Sequence, residues 1–419
     1  VALASGASQT GFGRTGTVDW DTTPKTATFS AVSGNGYFVN TTAGVITVNL
    51  PAGVAGAIVS LADYAATWQT NNVTVAPNGT DKIGSLNENA TLDVEGQSVT
   101  FVYVDSTQGW INTMDSTSNV RGLPPFVEAT GGTITCSGDY KIHTFTGPGT
   151  FTVTNAGTPA GSNTVDYLVV AGGGGGGGSV SGTGGGAGGG GAGGYRESSG
   201  VASGSYTVSP LGACVSALPV TASPYPITVG GGGGGNSASP GTDGSNSVFS
   251  TITSTGGGGA GSRGPSDPDG DGRPGGSGGG AGHGTTGSPH PGGTGNTPPV
   301  SPPQGQNAAN FPSGGYYAGG GGGAGAAATN ANGANGATSS INATPTARAG
   351  GGGGASSSGA GTGGTGGGGN GDSGNGVTAP SGTSNTGGGG GGSGNASSSP
   401  NIPGGAGGSG IVIIRYKFQ

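Results

Sequence analysis

Apolar and polar positions alternate in short runs over the first 122 residues. In 45–50, Ile46, Val48 and Leu50 alternate with Val45, Thr47 and Asn49, a period of two that buries one face of a strand. Similar runs at 36–40, 57–61, 73–76, 91–94, 99–104 and 110–113 are separated by turn signals such as Pro51-Ala52-Gly53 and Pro77-Asn78-Gly79. Seven short strands at this spacing predict a small β-sandwich or jelly-roll-like domain over residues 1–122. The polar stretch 116–126, closing on Pro124-Pro125, reads as a linker.

Beyond it the pattern changes. Strands are expected at 140–146, 150–154 and 165–171, and the chain closes on the apolar run 411–416. Between the last two, glycine comes in nine blocks: 172–178, 184–194, 230–235, 256–261, 319–326, 350–354, 362–371, 387–394 and 404–410. The bracketing runs, Asp166-Tyr167-Leu168-Val169-Val170 and Ile411-Val412-Ile413-Ile414-Arg415-Tyr416, are expected to pair into a platform that the glycine segments leave and rejoin. Residues 123–171 are thus linker and platform strands, 172–410 a glycine bundle with surface loops, and 411–419 a closing strand. No α-helix is predicted, so the fold class is all-β.

Glycine in blocks has a folded reading. In the extended threefold helix, with about 3.1 Å rise per residue, a block of seven spans about 22 Å and makes no internal hydrogen bonds. Its N–H and C=O groups must find partners on neighbouring helices, and only a hydrogen side chain lets neighbours approach on every side. Ordering glycine costs about 0.5–1 kcal/mol more per residue than alanine. Such a tract is tolerable only if interhelix hydrogen bonds and an apolar platform offset that cost. Because the chain starts and finishes at the platform, the passes should be even in number. One pass is therefore expected to be poor in glycine, namely 236–255, and 261–318 is expected to be the longest far-end loop.

Composition sharpens this reading. Of 419 residues, 108 are Gly and 26 Pro, only 7% are charged, and the net charge is −7. Collagen is excluded because the glycines lack a strict period of three. The acidic balance and lack of a basic patch argue against a nucleic-acid partner, and no apolar run is long enough for a transmembrane helix. No charged segment followed by an apolar one opens the sequence, so no leader is expected. Cys136 and Cys214 are the only cysteines. They pair or remain free thiols, and so few cysteines fit assembly in a cytoplasm.

Candidate chemistry is sparse. Gly-x-Gly-x-x-Gly recurs through composition alone, without the helix a dinucleotide site needs. Asp267-Pro268-Asp269-Gly270-Asp271-Gly272 matches the first half of a calcium loop, but Gly278 stands where the bidentate Glu belongs. A polar turn is the alternative, so no cofactor is expected unless Asp267, Asp269 and Asp271 hold Ca2+. His283 and His290 read as surface-loop residues, and His143 as a packed strand residue. No Ser/His/Asp set or carboxylate pair can be assembled, so no enzyme is expected. Among the aromatics, Tyr195, Tyr225 and Phe249 are expected to cap the platform core. Phe311, Tyr316 and Tyr317 belong either to a core or to a binding surface in 261–318, with Arg263, Arg273, His283 and His290 as polar contacts there.

Four segments carry a resemblance: Tyr167-Leu-Val-Val-Ala-Gly-Gly-Gly, Gly191-Ala-Gly-Gly-Tyr-Arg196, Ile227-Thr-Val-Gly-Gly-Gly and Gly408-Ser-Gly-Ile-Val-Ile-Ile-Arg-Tyr416. This frame resembles the glycine-rich domain of tailed-phage fibre proteins, and the layout resembles the adhesin tips of T-even-type long tail fibres. Residues 41–51 and 102–110 look like a β domain common in podovirus-type fibres. The resemblance implies a receptor-binding adhesin, with loops on a polyglycine scaffold meeting a bacterial surface glycan or outer-membrane protein. It also implies homotrimeric fibres joined to other virion tail proteins, assembled in the host cytoplasm, with residues 1–122 serving assembly. A structural or capsid-decorating fibre is the alternative. An ice-binding glycine-helix protein is a third class, against which the irregular loops argue.

Overall fold

The computed structural model describes residues 18–116, 126–159, 161–180, 185–204, 206–212, 214–263, 269–283, 289–310, 317–355, 359–374, 377–395 and 401–419. The chain divides into two compact units, Val1–Gly122 and Leu123–Gln419. Among the described residues no helix is long and apolar enough to cross a membrane.

The first unit holds β1 (Asp19–Lys25), β2 (Phe29–Ser30), β3 (Asn35–Val39), β4 (Ile46–Asn49), β5 (Ile58–Asp63), β6 (Val73–Ala76), β7 (Ala90–Leu92), β8 (Ser98–Asp105) and β9 (Gly109–Ser116). They form two sheets, β1-β3-β5-β8-β9 and β2-β4-β6-β7, which share one core around the fully buried Trp68 and Trp110. The period-two reading holds: Ile46 and Val48 are buried while Thr47 and Asn49 are half-buried. The seven predicted runs correspond to β3–β9. The polar, largely exposed β1 and the two-residue β2 carry no such alternation. A jelly roll is built from antiparallel strands, whereas here β1-β3-β5 and β2-β4-β6 pair in parallel. The chain coils between the two sheets for its first six strands and turns antiparallel only at β7, β8 and β9.

The second unit opens with β10 (Val127–Thr130), β11 (Thr133–Ser137), β12 (Tyr140–Phe145), β13 (Gly149–Ala156) and β14 (Thr164–Val170). The short strands β15 (Gly185–Gly186), β16 (Tyr195–Glu197), β17 (Leu218–Pro219), β18 (Pro224–Thr228), β19 (Ser247–Phe249) and β20 (Ile252–Ser254) follow. The last four are β21 (Ala337–Ser339), β22 (Thr346–Arg348), β23 (Gly394–Asn395) and β24 (Ile411–Lys417). The expected platform pair exists: β14 and β24 are antiparallel, with Asp166 opposite Arg415 and Val170 opposite Ile411. They are the centre of the sheet β11-β12-β24-β14-β16. One face, with Tyr167, Val169, Val412, Ile414 and Tyr416, packs with residues of the sheet β10-β13-β18-β19-β20. The other face, with Leu168, Val170, Ile411 and Ile413, packs on Tyr195, Ala337 and Ile341. Burial on both faces is why these two strands read as unbroken apolar runs. Tyr195 and Phe249 are buried in this platform and Tyr225 packs against it, as expected. Cys136 and Cys214 are both exposed free thiols, so the pairing alternative falls.

His143 lies fully buried beside Phe151 and Tyr416, with ring centroids 5.0 and 5.5 Å away. Its Nδ1 donates to the Gly131 carbonyl at 2.7 Å, which leaves Nε2 to accept from the Tyr416 hydroxyl at 3.0 Å. Burial pushes its pKa below the ordinary histidine value. The unfolded chain therefore takes up this proton first on acidification. The contribution of His143 is complete above about pH 6.5 and is lost as pH falls from there through the lowered value. The unfolding midpoint is expected to drop as pH falls below about 6.5, with a shallower drop in His143→Gln. Equal slopes for the two proteins would contradict this account.

The glycine segments form the predicted bundle. Gly172, Gly175 and Gly178 donate their N–H groups to Ser245, Thr242 and Ser239, and Gly173 and Gly176 to Gly408 and Gly405. Gly174 and Gly177 donate to Gly191 and Gly188. Each residue thus turns to a new neighbour and returns to the first after three steps, the signature of the threefold helix. All three acceptor segments run antiparallel to 172–178. Their parallel counterparts, through Gly257 and Ala260, Gly233, and Gly390 and Ser393, donate back to its carbonyls. No residue of this run has a positive φ, so glycine is required for its missing Cβ rather than for backbone freedom. A Cβ at Gly173, Gly174 or Gly175 would overlap the carbonyl of Gly388, Gly258 or Gly234.

Successive segments run alternately away from the platform and back. Residues 172–178 leave β14 and 185–194 return into β16, while 230–235 leave β18 and 241–246 return into β19. The pass expected within 236–255 is therefore present. The expected loop 261–318 is corrected: its described parts are further passes of the bundle. Gly258 N–H donates to Ser277, Gly261 to Gly280, Gly293 to Gly279 and Ala308 to Gly293. Gln304 meets the platform itself, accepting from Tyr195 N–H through its carbonyl and from Thr255 N–H through Oε1, both at 2.8 Å.

These passes escaped a search for glycine blocks because an edge helix needs glycine only where it faces inward. On the edge, asparagine and aspartate replace the missing neighbour. Asn307 and Asn310 accept through Oδ1 from the N–H groups of Gly295 and Gly292. Asn332 and Asn335 serve Thr362 and Thr365, and Asp243 and Asn246 serve Gly259 and Gly256. Each pair has the spacing i, i+3, one turn of the threefold helix.

A candidate binding cleft at the far end of the bundle

Residues 349–355 leave the platform from β22, and Ala355 accepts the N–H of Ala318 at 3.0 Å. That bond places Tyr317 at the far end of the bundle. The passes around it are 304–310, 317–324 and 359–364. The chain also turns back near Asn330, whose carbonyl accepts from Gly320 N–H. Together they enclose a cleft of about 570 Å³ lined by Asn310, Tyr317, Thr329, Asn330, Asn332 and Ala360, among others. Tyr317 is 51% exposed, although it is a large aromatic on a bundle otherwise poor in them. A Cβ on Gly359 would lie 3.8 Å from the edge of its ring, in ordinary contact.

The asparagines are oriented by backbone donors. Asn310 Oδ1 accepts from Gly292 N–H at 2.8 Å, Asn330 Oδ1 from Asn332 N–H at 2.8 Å, and Asn332 Oδ1 from Thr362 N–H at 3.0 Å. A backbone N–H only donates, so the atom facing it must be the side-chain oxygen. Each Nδ2 amide is thereby left without a partner among the described residues. Among the described residues the lining holds no Asp, Glu, Lys, Arg or His. Its described lining is uncharged, with an aromatic wall and three side-chain amide donors.

Of the described residues singled out in the sequence, only Tyr317 lines this cleft. Asp267, Phe311 and Tyr316 lie outside the described residues. Arg263 is buried, 5% exposed, against Gly185 and His283, with Nε and Nη1 lacking a partner among the described residues. Burial lowers its guanidinium pKa. Its backbone pairs with Ser179, so it packs into the bundle and is corrected as a loop contact. Arg273 is exposed, but on the side of the bundle, where its backbone bonds Gly259 and Gly279. His290 is also buried, its Nδ1 2.8 Å from Asp271 Oδ1, and is corrected as a surface-loop residue. His283 is half-buried, with its N–H bonded to the Gly186 carbonyl. Asp269 gives its carbonyl to Ser262 N–H. The described part of the calcium motif is thus engaged with the bundle, and no group of three metal-binding side chains occurs among the described residues. Asn310, Asn330 and Asn332 were missed; for Asn310 and Asn332 the available signal was a second asparagine three residues away, Asn307 and Asn335, in glycine-poor stretches.

A β platform carrying a bundle of threefold glycine helices, with a polar cleft at the far end, defines a glycine-rich scaffold of all-β class. The glycine-rich domain family matches residues 145–417, and the chain belongs to it. No curated protein matches the sequence significantly.

Proposed function

We propose that this protein is a tailed-phage fibre component that attaches the virion to its host without enzymatic action. The observation that carries this reading is the placement of the Tyr317 cleft, whose described lining is uncharged, at the far end of a hydrogen-bonded scaffold. Rigid elements that hold exposed polar and aromatic groups in place bind with little ordering cost. The resemblance of the glycine frame and of residues 41–51 and 102–110 to phage fibres supports the same reading.

In this account the second unit meets a bacterial surface glycan or outer-membrane protein. The first unit serves assembly, in a homotrimer joined to other virion tail proteins. Several copies multiply weak single contacts by avidity. The protein is made in the host cytoplasm and works on the virion. It takes no nucleic-acid partner and does not insert in the membrane. Fluorescent full-length protein is expected to label some bacterial strains of a candidate panel, and the chain cut after Arg121 to label none. Labelling by neither would favour a structural or decorating fibre.

A further inference from the structure

We propose that the Tyr317 cleft binds a neutral pyranose sugar, stacked on the tyrosine ring and hydrogen-bonded through acceptor oxygens to Asn310, Asn330 and Asn332. The claim names the ligand class of the attachment reading above and rests on it for its biological setting. The cleft volume, about 570 Å³, falls within the range of small-molecule sites and admits one or two sugar rings. Tyr317 offers an exposed aromatic face, and an aromatic face suits the C–H side of a pyranose. Ala360 and the backbone of Gly359 and Gly361 extend the wall.

The polar chemistry selects further. The oxygens of the three asparagines are held by backbone N–H groups, so their Nδ2 amides are donors with nothing to donate to among the described residues. Sugar hydroxyl and acyl oxygens are matching acceptors. Thr329 and the Tyr317 hydroxyl add groups that both donate and accept. No cation lines the cleft among the described residues, so a uronic acid or phosphorylated sugar would find no partner for its charge there.

The test uses the full chain with methyl glycosides of N-acetylglucosamine, glucose, galactose and mannose, and with glucuronic acid as the charged comparison. Binding is read by saturation-transfer NMR and calorimetry. At least one neutral sugar is expected to bind with Kd on the order of 1 mM. Tyr317→Ala is expected to weaken it at least about tenfold, by loss of the stacked ring. Asn330→Asp and Asn332→Asp keep the oxygen that caps the backbone and replace the amide donor by a second, negatively charged acceptor oxygen. Both are expected to weaken binding without moving the melting curve, while Asn335→Asp, one turn away on the same edge, changes nothing. The proposal is overturned if no neutral sugar binds, if glucuronic acid binds as well, or if the variants bind like the parent. Cell labelling that survives Tyr317→Ala and Asn330→Asp would overturn the cleft and leave attachment standing. Sugar binding by a protein that labels no cell would overturn attachment and leave the cleft standing.

Discussion

Alanine at Gly190 is expected to destabilise the second unit by about 3 kcal/mol or more, at the upper end of overpacking costs, whereas alanine at Gly231 is expected to be neutral or mildly stabilising. Gly190 sits inside the bundle. A Cβ there would overlap the Gly174 carbonyl, while its own carbonyl is the close neighbour of Gly321 and Gly389. Its N–H donates to Gly390 and its carbonyl accepts from Gly352, both at 2.8 Å. The obstruction is backbone on every side, so no side chain can swing away to relieve it. Gly231 is exposed and a Cβ would meet nothing within 4 Å. Neither residue has a positive φ, so backbone strain does not enter. At Gly231 alanine only restricts the unfolded chain, worth up to about 0.4–1 kcal/mol. Thermal or denaturant unfolding of the two variants checks this contrast, and equal shifts would sink the packing account.

Glu197→Ala is expected to cost about 3–5 kcal/mol, because several buried donors lose their acceptor at about 1–3 kcal/mol each, less what water or rearrangement recovers. Glu197 lies on β16 and is 1% exposed. Its Oε2 accepts from the Tyr195 hydroxyl at 3.0 Å, from Ser209 N–H at 3.1 Å and from the Ser209 hydroxyl. Its Oε1 accepts from the Ser339 hydroxyl. Burial holds the carboxyl above the usual carboxylate range despite these donors. One side chain thus ties the segment after β16 and the β21–β22 hairpin to the platform. Alanine leaves several buried donors orphaned, each a desolvation penalty. Glutamine keeps one oxygen and is expected to fall between. The network is further tested by a double-mutant cycle with Ser339→Ala, in which additive losses would show that the two residues are not coupled.

Much of the fold was legible because the responsible signals are local. The pairing of β14 with β24 followed from two unbroken apolar runs at the ends of a glycine region. The seven strands β3–β9 followed from alternation and turns. What failed was the step from composition to position. The segment 261–318 looks like a loop, since Arg273, Pro274 and Asn307 interrupt its glycines. In the bundle those residues sit on outward faces, and Gly272, Gly293 and Gly305 take the inward ones, where a Cβ would strike neighbouring passes. Arg263 and His290 look like surface residues for the same reason and are buried.

The sequence by itself determined the all-β class, the platform strands and the use of glycine blocks as close-packed threefold helices, because each depends on residues near one another in the chain. Only the tertiary structure decided which glycine-poor segments join the bundle, which asparagines cap its edge and which line the cleft. A threefold helix has no hydrogen bonds of its own, so every partner comes from a remote segment. Whether a residue faces a neighbour, solvent or a cleft is settled only when the passes are assembled.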